Sequence, residues 1–404
     1  MSNKIIKVQG SKSIINRILI ISTFLDKSLH LKNYSQCSDV ITAEKNLESL
    51  GLHFQQRADN SVVVTPQKIV DADLFVEDAG TAFRFLAVRL ASMPGRKFSI
   101  DISQQLKARP HKILYQLLHD FGSISSDQFP WQISGKELAG GKIALSAEVS
   151  SQFISALLLS APAFRLGLNL SLSGQVVSRS YIAMSLKLME QFGIKSEFSE
   201  AEINIEAGQS YHNPRTFCIE PDYSTLCYFW AWAVLQKQEL TTIGNPTESL
   251  QADAKFYQIL KKLGAEVQIT SQRLTIKAQQ LRGGMFNLRS MPDQVPTLAV
   301  LALFAEDKII IEEIAHLRYK ESDRISALLT ELGKLTNISY QAGKLCIEPL
   351  QKLPQKEICL NCYDDHRLIM AFSILQKMVP QLKLDKVDAV KKSAPDFFEN
   401  LAKL

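Results

Sequence analysis

The chain reads as an α/β protein made of six copies of one supersecondary unit, and two periodic signals carry that prediction. Glycines recur in Ser49-Leu50-Gly51, Asp120-Phe121-Gly122, Gln191-Phe192-Gly193, Lys262-Leu263-Gly264 and Glu331-Leu332-Gly333, at steps of about 70 residues. Each follows an amphipathic run such as Ile182 to Phe192, and a glycine after such a run commonly ends a helix. Polar clusters recur with the same period at Lys12-Ser13, Gly80-Thr81, Ser150-Ser151-Gln152, Asp222-Tyr223-Ser224, Asp293-Gln294 and Asp364-Asp365-His366-Arg367.

Within one copy the pattern runs strand, helix, strand, helix, hairpin. The third copy places strands at Lys142 to Leu145 and Leu168 to Leu172, and helices at Gln152 to Ser160 and Tyr181 to Phe192. A hairpin is expected from Ile194 to Glu197 and from Glu202 to Ile205. The strands alternate or run apolar, and the helices carry apolar residues at i, i+3, i+4 spacing.

The polar clusters stand at the start of the first helix of each copy. A second series, Arg109-Pro110, Ser178 to Tyr181, Thr247 to Gln251, Lys320-Glu321 and Lys391-Lys392, stands near the start of the second helix. The first turn of a helix has unpaired N–H groups and a partial positive charge, so it favours an anion. Taken singly, each Ser, Thr or Asp there is an ordinary N-cap. Each Lys or Arg is an ordinary solvated cation. Cations in a first turn oppose the helix dipole, however, and Lys12 with Arg17, Lys320 with Arg324, and Arg367 do so in repeat register. Local rules broken together point to a site for small molecules bearing several negative charges.

Composition narrows the class. A formal charge of +5 over 404 residues, with the basic residues scattered, argues against a nucleic-acid surface. Six cysteines in a chain this long are no disulfide framework. Cys359-Leu360-Asn361-Cys362 is a lone pair, and the seven histidines form no ligand-spaced cluster, so no metal is expected. No dinucleotide or nucleotide fingerprint is present, and no cofactor is implied. Ile14 to Leu25 is interrupted by Asn16 and Arg17, and Phe153 to Leu172 by Pro162, Arg165 and Asn169. Neither a signal peptide nor a membrane span is therefore expected, and a cytoplasmic protein follows. The length suggests two domains of three repeats each, with a short hinge between Gly208 and Pro221.

The motifs themselves carry a resemblance. Gly10-Ser11-Lys12-Ser13-Ile14-Ile15-Asn16-Arg17, Ala79-Gly80-Thr81-Ala82-Phe83-Arg84, Lys107-Ala108-Arg109-Pro110, Ser150-Ser151-Gln152, Lys320-Glu321-Ser322-Asp323-Arg324 and Asp365-His366-Arg367 resemble the 5-enolpyruvylshikimate-3-phosphate synthases, nearly end to end and in order. The resemblance implies a two-domain inside-out α/β barrel with three βαβαββ repeats per domain, 11–219 and 220–404 with 1–10. It also implies a monomer that moves the enolpyruvyl group of phosphoenolpyruvate to the 5-hydroxyl of shikimate 3-phosphate, the two domains closing on the substrates.

By the same resemblance Lys12 meets both substrates. Ser13, Arg17, Ser150, Ser151, Gln152, Ser178, Tyr181, Asp293, His316 and Lys320 hold shikimate 3-phosphate. Gly80, Arg109, Gln152, Arg324, Arg367 and Lys392 hold phosphoenolpyruvate. Asp293 is the base, Glu321 the proton donor, and Lys392 shares in proton transfer. Lys320 and Arg324 beside Glu321 favour its charged form.

Some positions depart from the pattern. Only nine residues precede Gly10, so a leading strand is expected to be trimmed. His316 stands where asparagine is frequent, Phe85 where proline or leucine is common, and Gln105 where arginine is frequent. Asp78 replaces a common asparagine close to Gly80, where it either repels phosphoenolpyruvate or pairs with Arg84 or Arg109. The related transferase acting on a UDP-amino sugar has a Lys-Asn start and a loop cysteine that are not matched here. A non-catalytic anion binder is the remaining alternative, opposed by the joint presence of Asp293, Glu321, Arg324, Arg367 and Lys392.

Overall fold

Four of the five recurring glycines end helices in a left-handed conformation. A computed structural model describes residues 4–146, 150–174, 178–278 and 280–404. Helices Ser38–Ser49, Lys112–Asp120, Arg179–Gln191 and Phe256–Lys262 each stop two residues before a glycine. The φ angles of Gly51, Gly122, Gly193 and Gly264 are 107°, 64°, 90° and 107°. After each, the next N–H turns back: Leu52 to Leu47 O at 3.0 Å, Ser123 to Leu118 O at 2.9 Å, Ile194 to Met189 O at 3.0 Å and Ala265 to Leu260 O at 2.9 Å. This is the Schellman closure, which satisfies carbonyls that a helix end would leave unpaired. Gly333 departs from expectation. Its φ is −61°, and the turns run on, with Thr336 N–H donating to Leu332 O at 3.0 Å.

The strands follow one plan. In the third copy Gly141–Ser146 runs parallel to Leu168–Ser173, with helix Ser151–Ser160 connecting them. Glu202–Ile205 then pairs antiparallel with Leu168–Ser173, and Glu197–Phe198 lies at the edge. The first hairpin strand therefore starts later than the sequence suggested. Four sheets share this order, in which the fourth strand of a copy lies between the second and third. The second copy shows three strands and the sixth two, Ile358–Leu360 and Leu382–Leu384. Every sheet is open among the described residues, so the fold is mixed α/β without a closed barrel.

Two leading strands come from distant sequence. Thr216–Cys218 pairs parallel with Leu29–Lys32 and so begins the first copy. Lys4–Ile6 pairs parallel with Leu240–Ile243 and begins the fourth. The expectation of a trimmed leading strand is thus corrected: a strand is present, and it serves the second set of repeats. The chain forms two compact units, Gly10–Ile219 and Glu220–Leu404 together with the residues up to Gln9.

The first helix of each copy is the buried one. All residues of Tyr223–Leu235 and Val295–Ala302 are buried, and His366–Met378 is buried through Leu375. A helix that is apolar all round can satisfy itself only inside a core. Polar residues such as Ser224, Thr225, His366 and Arg367 stand at its start, where the unpaired backbone groups lie, while Arg17 and Ser155 lie further in. No helix among the described residues is long and apolar enough to cross a membrane.

Gly264 tests the helix-closing motif. A side chain there must hold a φ of 107° and would approach Gln280 O at 2.8 Å. Gly264→Ala is expected to destabilise the protein by about 1–2 kcal/mol, measured as a lower urea midpoint; an unchanged midpoint contradicts the motif's role.

Candidate active site

In the unit Gly10–Ile219, cations collect where helices begin. Gly10 has no room for a side chain, since a Cβ would collide with Asn33 O. The tight passage delivers Lys12 to the first position of helix Lys12–Ser22. Its Nζ lies 3.0 Å from Asp39 Oδ2, with both side chains mostly shielded. Asp39 stands in the first turn of helix Ser38–Ser49, where an acid is favourable in its own right. It therefore gave no signal in the sequence.

Arg17 is buried and bound by neutral groups. Its Nε donates to Ser185 Oγ at 2.8 Å, one Nη to Ser13 O at 2.7 Å, and the other to Tyr181 O at 3.1 Å and Ser155 Oγ at 3.4 Å. No carboxylate lies within ion-pair reach of it among the described residues. Burial brings its pKa down to about 10, opposed by Tyr181, so it is charged at neutral pH. A shielded guanidinium without a counter-charge is a strong attractor for an anion. Ser13 and Tyr181 thus touch Arg17 through their carbonyls. Buried Ser178 stands at the N-cap position of helix Arg179–Gln191 with a left-handed φ of 53°.

A third group surrounds Gly80. An added Cβ would meet Arg84 Nη1 at 2.8 Å and Arg109 Nη1 at 3.5 Å, so two guanidiniums converge over a bare backbone. Arg84 donates to Gly80 O at 3.2 Å and to Gln152 Oε1, and Gln152 Nε2 donates to Thr81 Oγ1 at 3.1 Å. Arg109 Nη2 is buried without a hydrogen-bond partner. Ser150 caps the helix that carries buried Ser151 and half-buried Gln152, its Oγ accepting from Gln152 N at 3.2 Å. Asp78 accepts from the hydroxyl of Ser103, which also caps helix Gln104–Lys107. Its carbonyl accepts from Gly80 N–H at 2.9 Å. Arg84, which the sequence alone does not single out from its motif, lies beside Gly80 and Gln152 and so joins the candidate residues.

The other unit builds its cluster around Arg324, the first residue of helix Arg324–Leu332, with 1% of its side chain exposed. Its nitrogens reach Asp365 Oδ2 at 2.8 Å, Asp293 Oδ1 at 2.9 Å and Glu321 Oε2 at 3.0 Å. Arg367 Nη2 reaches the other oxygen of Asp293 at 3.1 Å. Asp365 also caps helix His366–Met378, accepting from Arg367 N at 2.9 Å, and takes the Ser322 hydroxyl at 3.0 Å. Burial alone would raise the Asp293 carboxyl, but Arg367, Arg324 and Lys320 outweigh it and hold the group well below the ordinary range. Burial would lower Arg324, but the three carboxylates raise it well above the ordinary value.

His316 explains one departure. It lies in the turn Ala315–Tyr319, and its buried Nε2 has no hydrogen-bond partner. Burial first, then Lys320, bring its pKa down to about 4, with Asp293 opposing. The imidazole is therefore neutral near pH 7, so it can take the part of a neutral amide. Half-buried Lys320 follows this turn, and the turn Asp388–Lys392 packs on the helix that carries Arg367. Among the described residues no group of His, Cys, Asp and Glu is arranged to hold a metal ion.

The predicted residues thus fall into two sets, each gathered at helix starts within its own unit. In one, Lys12 meets Asp39, Arg17 meets Ser13 and Tyr181, and Gly80, Arg109 and Gln152 gather about Arg84. In the other, Asp293, Glu321, Arg324 and Arg367 form one ion-pair cluster, with Lys320 and His316 close enough to feel its charges.

Comparison with known proteins agrees with these motifs. The family model described as EPSP synthase (3-phosphoshikimate 1-carboxyvinyltransferase) matches residues 2–401. A 3-phosphoshikimate 1-carboxyvinyltransferase of Buchnera aphidicola is 33% identical, covering 99% of this chain and 96% of its own. That of Vibrio vulnificus is 31% identical with the same coverage. An EPSP synthase structure from Acinetobacter baumannii superposes with a TM-score of 0.79 at 20% identity, covering 100% of this chain and 96% of that one. The enolpyruvyl transferase NikO from Streptomyces tendae gives 0.81 at 17% identity, covering 100% and 95%. On the family match and these relatives, the chain belongs to the EPSP synthase family.

Proposed function

We propose that the protein transfers the enolpyruvyl group of phosphoenolpyruvate to the 5-hydroxyl of shikimate 3-phosphate, releasing phosphate. The observation that carries this is the arrangement at Arg324. A base candidate and an acid candidate, Asp293 and Glu321, sit on the same guanidinium, with a second arginine on Asp293.

The steps follow from these groups. Asp293 takes the proton of the 5-hydroxyl as its oxygen bonds to the central carbon of phosphoenolpyruvate, and Glu321 gives a proton to the methylene carbon. Glu321, left as a carboxylate, takes back a proton from the resulting methyl group as the bond to phosphate breaks, which restores the C=C bond of the enol ether, and the departing phosphate carries off the proton held by Asp293. Arg324, Arg367, Arg109, Arg84, Gly80, Gln152 and Lys392 receive phosphoenolpyruvate, since planar guanidiniums pair well with carboxylate and phosphate. Arg17, Ser13, Ser150, Ser151, Ser178, Tyr181, His316 and Lys320 receive shikimate 3-phosphate, and Lys12 meets both.

A carboxylate held down by two arginines is a poor base. When the substrate's anionic groups occupy Arg324 and Arg367, their hold on Asp293 weakens and its basicity rises. Substrate binding thus activates the base. We further read the protein as a cytoplasmic monomer with domains 11–219 and 220–404 plus 1–10; the two compact units support the domain part of that reading.

Two measurements follow. Shikimate 3-phosphate with phosphoenolpyruvate should release phosphate at a rate that UDP-N-acetylglucosamine does not elicit; silence with shikimate 3-phosphate would refute the proposal. Asp78→Asn removes a carboxylate near Gly80 while keeping an acceptor for Ser103. At about 7 Å and an effective dielectric constant of about 20 the repulsion is roughly 2 kcal/mol, so KM for phosphoenolpyruvate should fall by up to about thirtyfold. An unchanged or higher KM would show that Asp78 does not oppose the substrate.

A further inference from the structure

Asp253 has no part in the reaction set out above, yet it is hydrogen-bonded to the turn that carries the base. It lies in the turn Ala252–Lys255, in the copy that precedes the one carrying Asp293, and 3% of it is exposed. Its Oδ2 accepts from the Ser224 hydroxyl at 2.5 Å and from Gln294 Nε2 at 2.9 Å. Gln294 is wholly buried and follows Asp293 directly. Its Nε2 also donates to Ser224 O at 3.3 Å, and its Oε1 accepts from Thr297 Oγ1 at 3.0 Å. With both faces of the amide engaged, Gln294 has one orientation. Asp253 therefore ties the start of helix Tyr223–Leu235 to the turn Pro292–Gln294.

Charge points the same way. Burial first, and then the charge of Asp293, bring the Asp253 carboxyl up to about 6, with Ser224, Arg367 and Gln294 opposing. Cys227 faces it too, its Sγ donating to Asp253 O at 3.3 Å. The influence of two carboxylates on each other is mutual. An ionised Asp253 thus counters the arginines that depress Asp293.

We propose that Asp253 is a positioning residue for the transfer step: it fixes the turn that carries Asp293 and, as a carboxylate, keeps Asp293 basic enough to take the 5-hydroxyl proton. This rests on Asp293 being the base.

Asp253→Asn keeps the shape and removes the charge. Its kcat should fall about tenfold, the effect of one pKa unit on the base, while KM for phosphoenolpyruvate holds or falls because a negative charge has left the neighbourhood of Arg367. A group raised to about 6 in the folded protein gains its proton as pH falls through that value. The wild type should therefore lose kcat below about pH 6, and the variant should lack that limb.

A double-mutant cycle separates the two claims. In an Asp293→Asn background, Asp253→Asn should cost no further kcat. Full kcat in Asp293→Asn alone would remove the base assignment, and this proposal with it. An impaired Asp293→Asn beside an unimpaired Asp253→Asn, or additive losses in the double variant, would overturn this proposal alone. Should Asp253→Asn fail to fold by circular dichroism, Thr297→Val releases the Gln294 oxygen without touching a charge. Lower kcat at unchanged KM supports the positioning role, and unchanged kcat overturns it.

Discussion

A guanidinium almost sealed from water sits among three carboxylates, and the chemistry of its unit is arranged around it. An isolated buried charge is costly, and removing one partner from a buried pair costs about 3–5 kcal/mol. Arg324 thereby fixes Asp293, Glu321 and Asp365, which come from three different repeats or turns. Asp365 serves twice, capping one helix while neutralising the first residue of another. That is how a cation is tolerated in a first turn whose dipole opposes it.

The other unit handles a buried arginine in the opposite way. Arg17 is held by hydroxyls and carbonyls, so its charge is uncompensated by any carboxylate among the described residues. The difference bears on ligand binding. An anion at Arg17 meets a charge already desolvated and waiting, whereas an anion at Arg324 or Arg367 must share with Asp293 and Glu321. The first arrangement suits affinity. The second couples binding to the protonation of the groups proposed to carry the reaction.

Legibility in the sequence followed the source of each signal. The starts of the buried first helices were readable because capping residues recurred in register with the glycines, as at Ser150 and Asp222. Arg324 and Arg367 were readable because cations there break a local rule. Two supporting acids were not: Asp39, which meets Lys12, is an unremarkable first-turn acid, and Asp253, which meets Gln294, looks like an ordinary polar residue beside an apolar run. Lys4–Ile6 and Thr216–Cys218 are three-residue strands, too short to show a period, so the exchange of leading strands left no trace. Gly333 shows the limit of the glycine signal, since a glycine after a helix permits a left-handed turn without compelling one.

The central claim is that substrate anions relieve the depression of Asp293. Its most direct test is the carboxyl pKa of Asp293, followed by carbon-13 NMR in the free protein and with shikimate 3-phosphate plus a non-reacting analogue of phosphoenolpyruvate bound. The account predicts a carboxyl below the usual range when free that climbs to or above it in the complex. A carboxyl that stays depressed with both ligands bound would contradict it.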